Sequence, residues 1–338
     1  MTAPAFRTRL TALFGIEHPI LCGGLMWLAT HDYVAAVVNA GAMGFITPRS
    51  YASPEEFRAG LRRCAELTAG KPFGVNLYVS ARPEANEALS GFLDIAIAEG
   101  VRFVETAGYS PAAFLPRIRD AGITVVHKCT SVRHALSAER AGVDAVTILG
   151  MEAGGHPGMR LTGAMVQGAE AAGALSIPVV LGGGMGTGRH LVAALALGCE
   201  GMLMGTRMVV SSEIWAHAAY KQRLIEAGHD DTRVVMGTFR DNYRALDNDT
   251  ARAVAALEAE GVKDFERYRP LVQGANTRRA YETGDPDVGL MSVGQSCTFA
   301  DAIEPAAAII ARIVAEAADA QARLDRLRAG RHIRAEQG

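Results

Sequence analysis

Disulfide chemistry is the first thing this chain has too little material for. Its five cysteines (Cys22, Cys64, Cys129, Cys199 and Cys297) are odd in number and scattered through 338 residues. No C-x-x-C pair and no zinc-ligand spacing occurs, which argues against a disulfide scaffold and a structural zinc site. An excess of charge of one sign is also missing. The formal net charge is −2, so no general attraction to nucleic acid or anionic lipid is expected. The one basic cluster (Arg323, Arg326, Arg328, Arg331, Arg334) reads as a solvated helix end. No apolar run reaches the ~18 residues that would span a bilayer. The N-terminus lacks both an apolar h-region and a small-residue cleavage site. A reduced, cytoplasmic protein is the expectation, engaging neither membrane nor nucleic acid.

What the chain has in quantity is apolar surface and glycine: 49% hydrophobic residues and 37 Gly. Short, often β-branched runs recur at 18–22, 43–47, 73–79, 103–106, 124–129, 145–149, 177–181 and 201–206. Runs this continuous suit strands buried on both faces, as in a parallel sheet. Amphipathic helices are expected between them at 30–39, 54–67, 111–121, 131–141 and 190–197, the second capped by Ser53 with Glu56 in capping-box position. Three helices exit through Asn-Ala-Gly-Ala, Asp-Ala-Gly-Ile and Arg-Ala-Gly-Val, with Gly where a left-handed C-cap belongs. Eight such units predict a closed (β/α)₈ TIM barrel over residues 1–212, with an open doubly wound sheet as the alternative. Residues 213–285 break the pattern. They are charged, helical and without a convincing strand, so an inserted helical lid over the barrel mouth is expected. Residues 286–338 then read as a loop and a long helix closing the barrel.

In such barrels the loops after the strands build the active site. Candidates are therefore Gly24, Leu25 and Met26 after strand 1, Asn76 on strand 3 and Lys128 on strand 5. Strand 6 leads into Gly-Met-Glu-Ala-Gly-Gly-His-Pro-Gly-Met (150–159), one imidazole among four glycines. Gly183 and Gly184 follow strand 7, and Gly205 and Thr206 follow strand 8. Glycine-rich backbone after strands 7 and 8, together with a helix N-terminus, forms an anion cup suited to a phosphate. No G-x-G-x-x-G fits Gly182–Gly188 and no G-x-x-x-x-G-K-[ST] occurs anywhere, so neither a Rossmann site nor a P-loop is supported. Asn76 and Lys128 suit the polar edge of a flat heterocycle, although Lys128 could equally be an ion-pair partner. His156 could be a proton carrier at neutral pH or the cap of a turn.

Six motifs in order then resemble the nitronate monooxygenase family, formerly 2-nitropropane dioxygenase. They are H-P-I-L-C-G-G-L-M-W (18–27), K-P-F-G-V-N-L (71–77), H-K-C-T-S-V-R-H-A (127–135), G-M-E-A-G-G-H-P-G (150–158), G-G-G-M-G-T-G-R (182–189) and M-G-T-R (204–207). That family also holds NAD(P)H:quinone reductases and flavin enoyl reductases. The resemblance implies a TIM barrel carrying non-covalent FMN. Gly24, Leu25, Met26, Asn76, Lys128 and Gly155 would meet the ring, and Gly183, Gly184, Gly205 and Thr206 the phosphate. His156 would be the active-site histidine, and no metal is implied. The chain departs from the family pattern at Cys22 (usually Gln), Leu25 (Met), Leu149 (acidic), Thr187 (Asp) and His190 (Gly).

The resemblance implies an FMN-dependent oxidoreductase. Oxidation of alkyl nitronates by O₂ to carbonyl compounds and nitrite is the expected reaction. An NAD(P)H-dependent quinone or enoyl reductase is the alternative, with NAD(P)H as co-substrate, and a non-catalytic phosphate-ligand binding protein is a third. The partners expected are a small molecule (nitronate, quinone or activated alkene) and O₂. A homodimer is left open.

Overall fold

A computed structural model describes residues 6–329; Arg331 and Arg334 of the basic cluster lie outside them. Eight parallel strands close into a barrel in sequence order: β1 (Ile20–Cys22), β2 (Met43–Ile46), β3 (Gly74–Val79), β4 (Phe103–Gly108), β5 (Thr124–Cys129), β6 (Ala145–Leu149), β7 (Val179–Gly182) and β8 (Gly201–Met204). The ring closes where Ile20, Leu21 and Cys22 pair with Met202, Leu203 and Met204. This is a TIM barrel.

The barrel is filled rather than hollow. Leu21, Met43, Phe45, Phe103, Val126, Ala145, Val180 and Leu203 point inward and form one buried cluster. Helix α1 (Arg9–Phe14) plugs its base with Leu10 and Phe14, the Phe14 ring lying 5.0 Å from Phe103 and 6.3 Å from Phe45. The alternate residues of each strand face outward onto helices α2 (His31–Asn39), α3 (Pro54–Leu67), α4 (Pro83–Ala98), α5 (Leu115–Asp120), α6 (Val132–Ala141), α7 (Ala164–Ala174) and α8 (Gly188–Ala196). Of these, α3 begins as expected: the Ser53 side chain accepts from Glu56 N–H. Gly41, Gly122 and Gly142 of the repeated exits all take positive φ, the conformation that L side chains avoid. Helix α9 (Thr206–Val209) is a single turn after β8.

Residues 213–285 differ from expectation in one respect. Besides α10 (Ala218–Glu226), α11 (Asp249–Ala259), α12 (Phe265–Val272) and α13 (Gly274–Thr283), they contain an antiparallel hairpin, β9 (Thr232–Val235) and β10 (Tyr243–Leu246). Its strands have four residues each, and each carries an arginine, so they lack the apolar run by which the barrel strands declare themselves. Val235, Met236, Ala245, Val254 and Tyr268, joined by Leu290 from the segment that follows, give this insertion a small core. Helix α14 (Ala306–Arg328) then returns to pack against α8 and α2, closing the ring of helices. No described helix is long and apolar enough to cross a membrane, and all five cysteines are free and buried.

One buried pair between neighbouring barrel strands is expected to make the fold acid-sensitive. His127 on β5 is 5% exposed, and its Nδ1 lies 2.8 Å from Thr106 Oγ1 on β4. Burial, reinforced by the charges of His134 and Lys128, pushes its pKa down to about 4. The folded-state value lies below the unfolded one (about 6.5). This contribution is therefore complete above pH ~6.5 and is lost as pH falls toward 4, by roughly 3 kcal/mol at most. His127→Gln should flatten the pH dependence of urea unfolding in that window relative to wild type. Parallel curves for the two proteins would remove His127 from the account.

Candidate active site

The site starts from the floor of the barrel mouth. On β3, Gly74 points inward, its missing side chain replaced by the Phe45 ring. Two residues on, Asn76 therefore points inward as well, and its register partner on β4 is Glu105. Glu105 is fully buried, and one oxygen, Oε2, collects three donors. These are Gly24 N–H at 2.8 Å, Asn76 Nδ2 at 2.6 Å and Lys128 Nζ at 3.0 Å. Because the carboxylate only accepts, the amide of Asn76 must turn its nitrogen toward it. A Cβ on Gly24 would fall 2.2 Å from Asn76 Cβ, so only glycine lets the strand-1 loop lie across the floor. Gly24, Asn76 and Lys128 are thus brought together, by a residue that the motifs did not single out. The signal was present: Glu105 is the one charged side chain in Phe-Val-Glu-Thr. Lys128 is an ion-pair partner after all, placed at the mouth.

On the other side of the mouth, Gly183 and Gly184 leave β7 with φ of +90° and +73°. A Cβ on Gly183 would meet the Gly150 backbone at 2.8 Å, and one on Gly184 would sit 3.2 Å from Glu152 Cβ. Gly205 differs. A Cβ there meets only Leu25 Cδ2, at 3.9 Å, so it faces open space. Among the described residues, none accepts from the N–H groups of Gly183, Gly184, Gly205 or Thr206. The Thr206 hydroxyl accepts from Gly294 N–H at 2.9 Å and keeps its own proton to donate. Free donors beside open space are what a phosphate requires.

One part of the expected cup is already occupied. The N-terminus of α8 does not face a ligand: Gly188 N–H donates to Glu316 Oε2 of α14 at 2.8 Å, and His190 Nδ1 accepts from Gly186 and Thr187 N–H at 3.3 and 3.2 Å. Thr187 and His190, two departures from the family pattern, thus form a closed cap. Burial holds the His190 pKa down, keeping that lone pair available. Cys22 likewise turns away from the mouth, behind β1 beside Tyr33, where burial raises its thiol to about 12.

The glycine-rich loop after β6 is shaped mainly by protein contacts. A Cβ on Gly150 would strike Ala164, one on Gly154 the backbone of Val293 and Gly294, and one on Gly158 Thr130. Gly155, at φ +77°, exchanges backbone hydrogen bonds with Arg244 on β10 (3.0 and 2.6 Å). Arg244 is 5% exposed, and it clamps the loop by donating Nε to Met151 O at 2.9 Å and Nη1 to Thr232 Oγ1 at 2.9 Å. The hairpin is therefore the element that fixes this loop. Arg244→Met should leave two acceptors without this donor and lower stability by about 1–3 kcal/mol. Chemical denaturation measures this, and an unchanged midpoint would deny the clamp.

His156 projects from this loop, 44% exposed, with Nε2 3.5 Å from Asp241 Oδ1. The Tyr243 ring packs edge-on at 4.9 Å, and Tyr78, inward-facing on β3 above Asn76, lies at 6.5 Å. Hydrogen bonding to His156 holds the Asp241 carboxyl below its usual range. Burial raises the Tyr243 phenol, whose hydroxyl contacts Ser292. An accessible imidazole beside an ionised carboxylate and an aromatic wall can accept and return a proton. Asp241, Tyr243 and Arg244 all come from the inserted hairpin, so no barrel motif could reveal them.

With this geometry in view, the comparisons with known proteins decide the family. The family model described as nitronate monooxygenase matches residues 7–316. The chain belongs to the nitronate monooxygenase family. FabK from Thermotoga maritima is 34% identical, with a TM-score of 0.86, covering 96% of this chain and 99% of that one. A hydroxy-methyl-oxo-octahydroindene-carboxyl-CoA dehydrogenase of Mycobacterium tuberculosis is 34% identical over 68% of this chain, and the match spans 62% of that protein's length. A probable nitronate monooxygenase of Staphylococcus saprophyticus is 30% identical, over 72% of this chain and 79% of its own. The chain is accordingly an oxidoreductase, in a family whose chemistry runs on a flavin. The residues fit that group, with free N–H donors and open space at Gly205 for a phosphate, and a polar floor for a ring edge.

Proposed function

We propose that the chain is an FMN-dependent oxidoreductase of carbon acids, substrates whose reacting carbon is acidified by a neighbouring nitro or carbonyl group. The observation that carries the reading is His156, which stands accessible at the mouth, 3.5 Å from Asp241, on the loop clamped by Arg244. Such a histidine takes a proton from the carbon or holds the developing oxyanion. The mononucleotide is preferred because the free donors beside Gly205 would suit one phosphate and the sequence carries no dinucleotide fingerprint. Gly183, Gly184, Gly205 and Thr206 would hold that phosphate, and Gly24, Asn76 and Lys128 the ring. A bound flavin supplies two-electron exchange with the substrate carbon. The hairpin and its helices act as the lid, because Asp241 and Tyr243 line the mouth from the insertion.

Within this class, oxidation of alkyl nitronates is supported by the family match over residues 7–316. The second reading is dehydrogenation or reduction next to a thioester carbonyl, possibilities raised by the 34% identity to the CoA dehydrogenase. Anaerobic flavin reduction by a nitronate, NADH, NADPH and an acyl-CoA, run in parallel, separates them. Rapid bleaching by nitronate alone establishes the first. Bleaching by a nicotinamide or an acyl-CoA, with nitronate inert, establishes the second. Heat-released cofactor should migrate as FMN, and FAD would overturn the single-phosphate assignment.

A further inference from the structure

Glu105 distributes its hydrogen bonds unevenly. Oε2 takes all three donors, from Gly24, Asn76 and Lys128. Oε1 is buried and has no partner among the described residues. A carboxylate oxygen only accepts, and burying it without a donor is costly. Turning the carboxylate would surrender the three bonds that hold it, so the imbalance is locked in. The direction of Oε1 is also defined. A Cβ built on Gly23 would lie 3.0 Å from Oε1, 3.3 Å from Lys128 Nζ and 3.1 Å from Leu203 Cδ1. The bare oxygen is thus sealed beneath Gly23, beside the Lys128 ammonium, which alone of the pair keeps some exposure at the mouth.

We propose that Glu105 is a positioning residue beneath the cofactor floor, which holds Lys128 and cancels most of its charge toward the ligand's polar edge. This rests on the flavin reading above. Lys128 reaches the mouth and Glu105 does not, so the ammonium would meet the ring's polar edge and the carboxylate would act through it. The electrostatic consequence follows from the pairing at 3.0 Å. A lone lysine would stabilise the negative charge that the ring gains on reduction, whereas the neutral Glu105–Lys128 pair largely withholds that help. Glu105 thus tunes how strongly the ring holds electrons, a property that no motif of the chain encodes.

The test uses the holoenzyme and reads the flavin rather than turnover. Sulfite adds to an oxidised flavin and leaves negative charge on the ring, so its affinity reports positive charge nearby. Glu105→Gln exposes the ring to an uncompensated Lys128, and sulfite affinity should rise at least ~10-fold. The two-electron midpoint should rise with it, about 30 mV for each tenfold change in the equilibrium constant. Glu105→Gln combined with Lys128→Gln restores a neutral floor and should return both values toward wild type. If Glu105→Gln does not retain flavin, Lys128→Gln alone decides, with an expected fall in sulfite affinity of ~10-fold or more. A flavin-bound variant within twofold of wild type in both readings would overturn the assignment. A wild-type protein that takes up no flavin would instead defeat the reading beneath it.

Discussion

His156→Ala should lose about 10²- to 10⁴-fold in kcat/KM with a neutral nitroalkane, the usual worth of a general base. A neutral nitroalkane must first surrender its α-proton, and the proposed function assigns that task to His156, which stands accessible beside Asp241. A preformed nitronate has already lost that proton, so the same variant should be impaired far less with it. This contrast is the measurement that matters, because general damage to the site would depress both substrates alike. Equal losses would leave His156 a binding or structural residue. Asp241→Asn should show a smaller loss with the same asymmetry, since the carboxylate acts through the imidazole it stabilises. Under the thioester reading, the proton lies beside a carbonyl, and an acyl-CoA substrate should show the large loss.

Gly205→Val should abolish most FMN binding while the folded apoprotein survives. A side chain at Gly205 meets open space apart from Leu25 Cδ2 at 3.9 Å, so it costs the protein little packing. If that space seats the phosphate, the valine displaces it and the N–H contacts around it are lost. Charge-assisted hydrogen bonds contribute about 1.5–3 kcal/mol each. Losing two would weaken FMN by about 10²- to 10⁴-fold. Titration of apoprotein with FMN measures this, and thermal melting of the apoprotein supplies the control. Gly183→Val is a different experiment: its Cβ would strike the Gly150 backbone at 2.8 Å, with φ at +90°, so the fold itself should suffer. Undiminished FMN binding by Gly205→Val would move the phosphate elsewhere.

The barrel was legible in the chain because its strands are buried on both faces. Continuous apolar runs and glycine exits are consequences of that burial, and each expected strand falls within about two residues of its place. Candidate residues at strand ends were legible for the same reason, since the fold alone places Asn76, Lys128, His156 and the residues proposed to hold a phosphate (Gly183, Gly184, Gly205 and Thr206) at strand ends on one side of the barrel. Hairpin β9–β10 was not. Its strands answer to partners distant in sequence, with Tyr243 pairing Val235 and Arg244 bonding Gly155, rather than to a buried sheet. Nor could the loop glycines be interpreted, because Gly150, Gly154 and Gly158 are required by Ala164, Gly294 and Thr130.

What the sequence determined by itself is therefore periodic and local: eight strands, their helices, the helix caps, and the set of residues raised to the barrel mouth. What only the tertiary structure decided is pairing. It matched Glu105 with Lys128 across neighbouring strands, His156 with Asp241 across some 85 residues of chain, and Gly188 with Glu316 in place of a phosphate. Periodicity records which face of an element is buried. The partner of a buried charge is chosen by strand register and loop closure, which leave no mark on the spacing of residues.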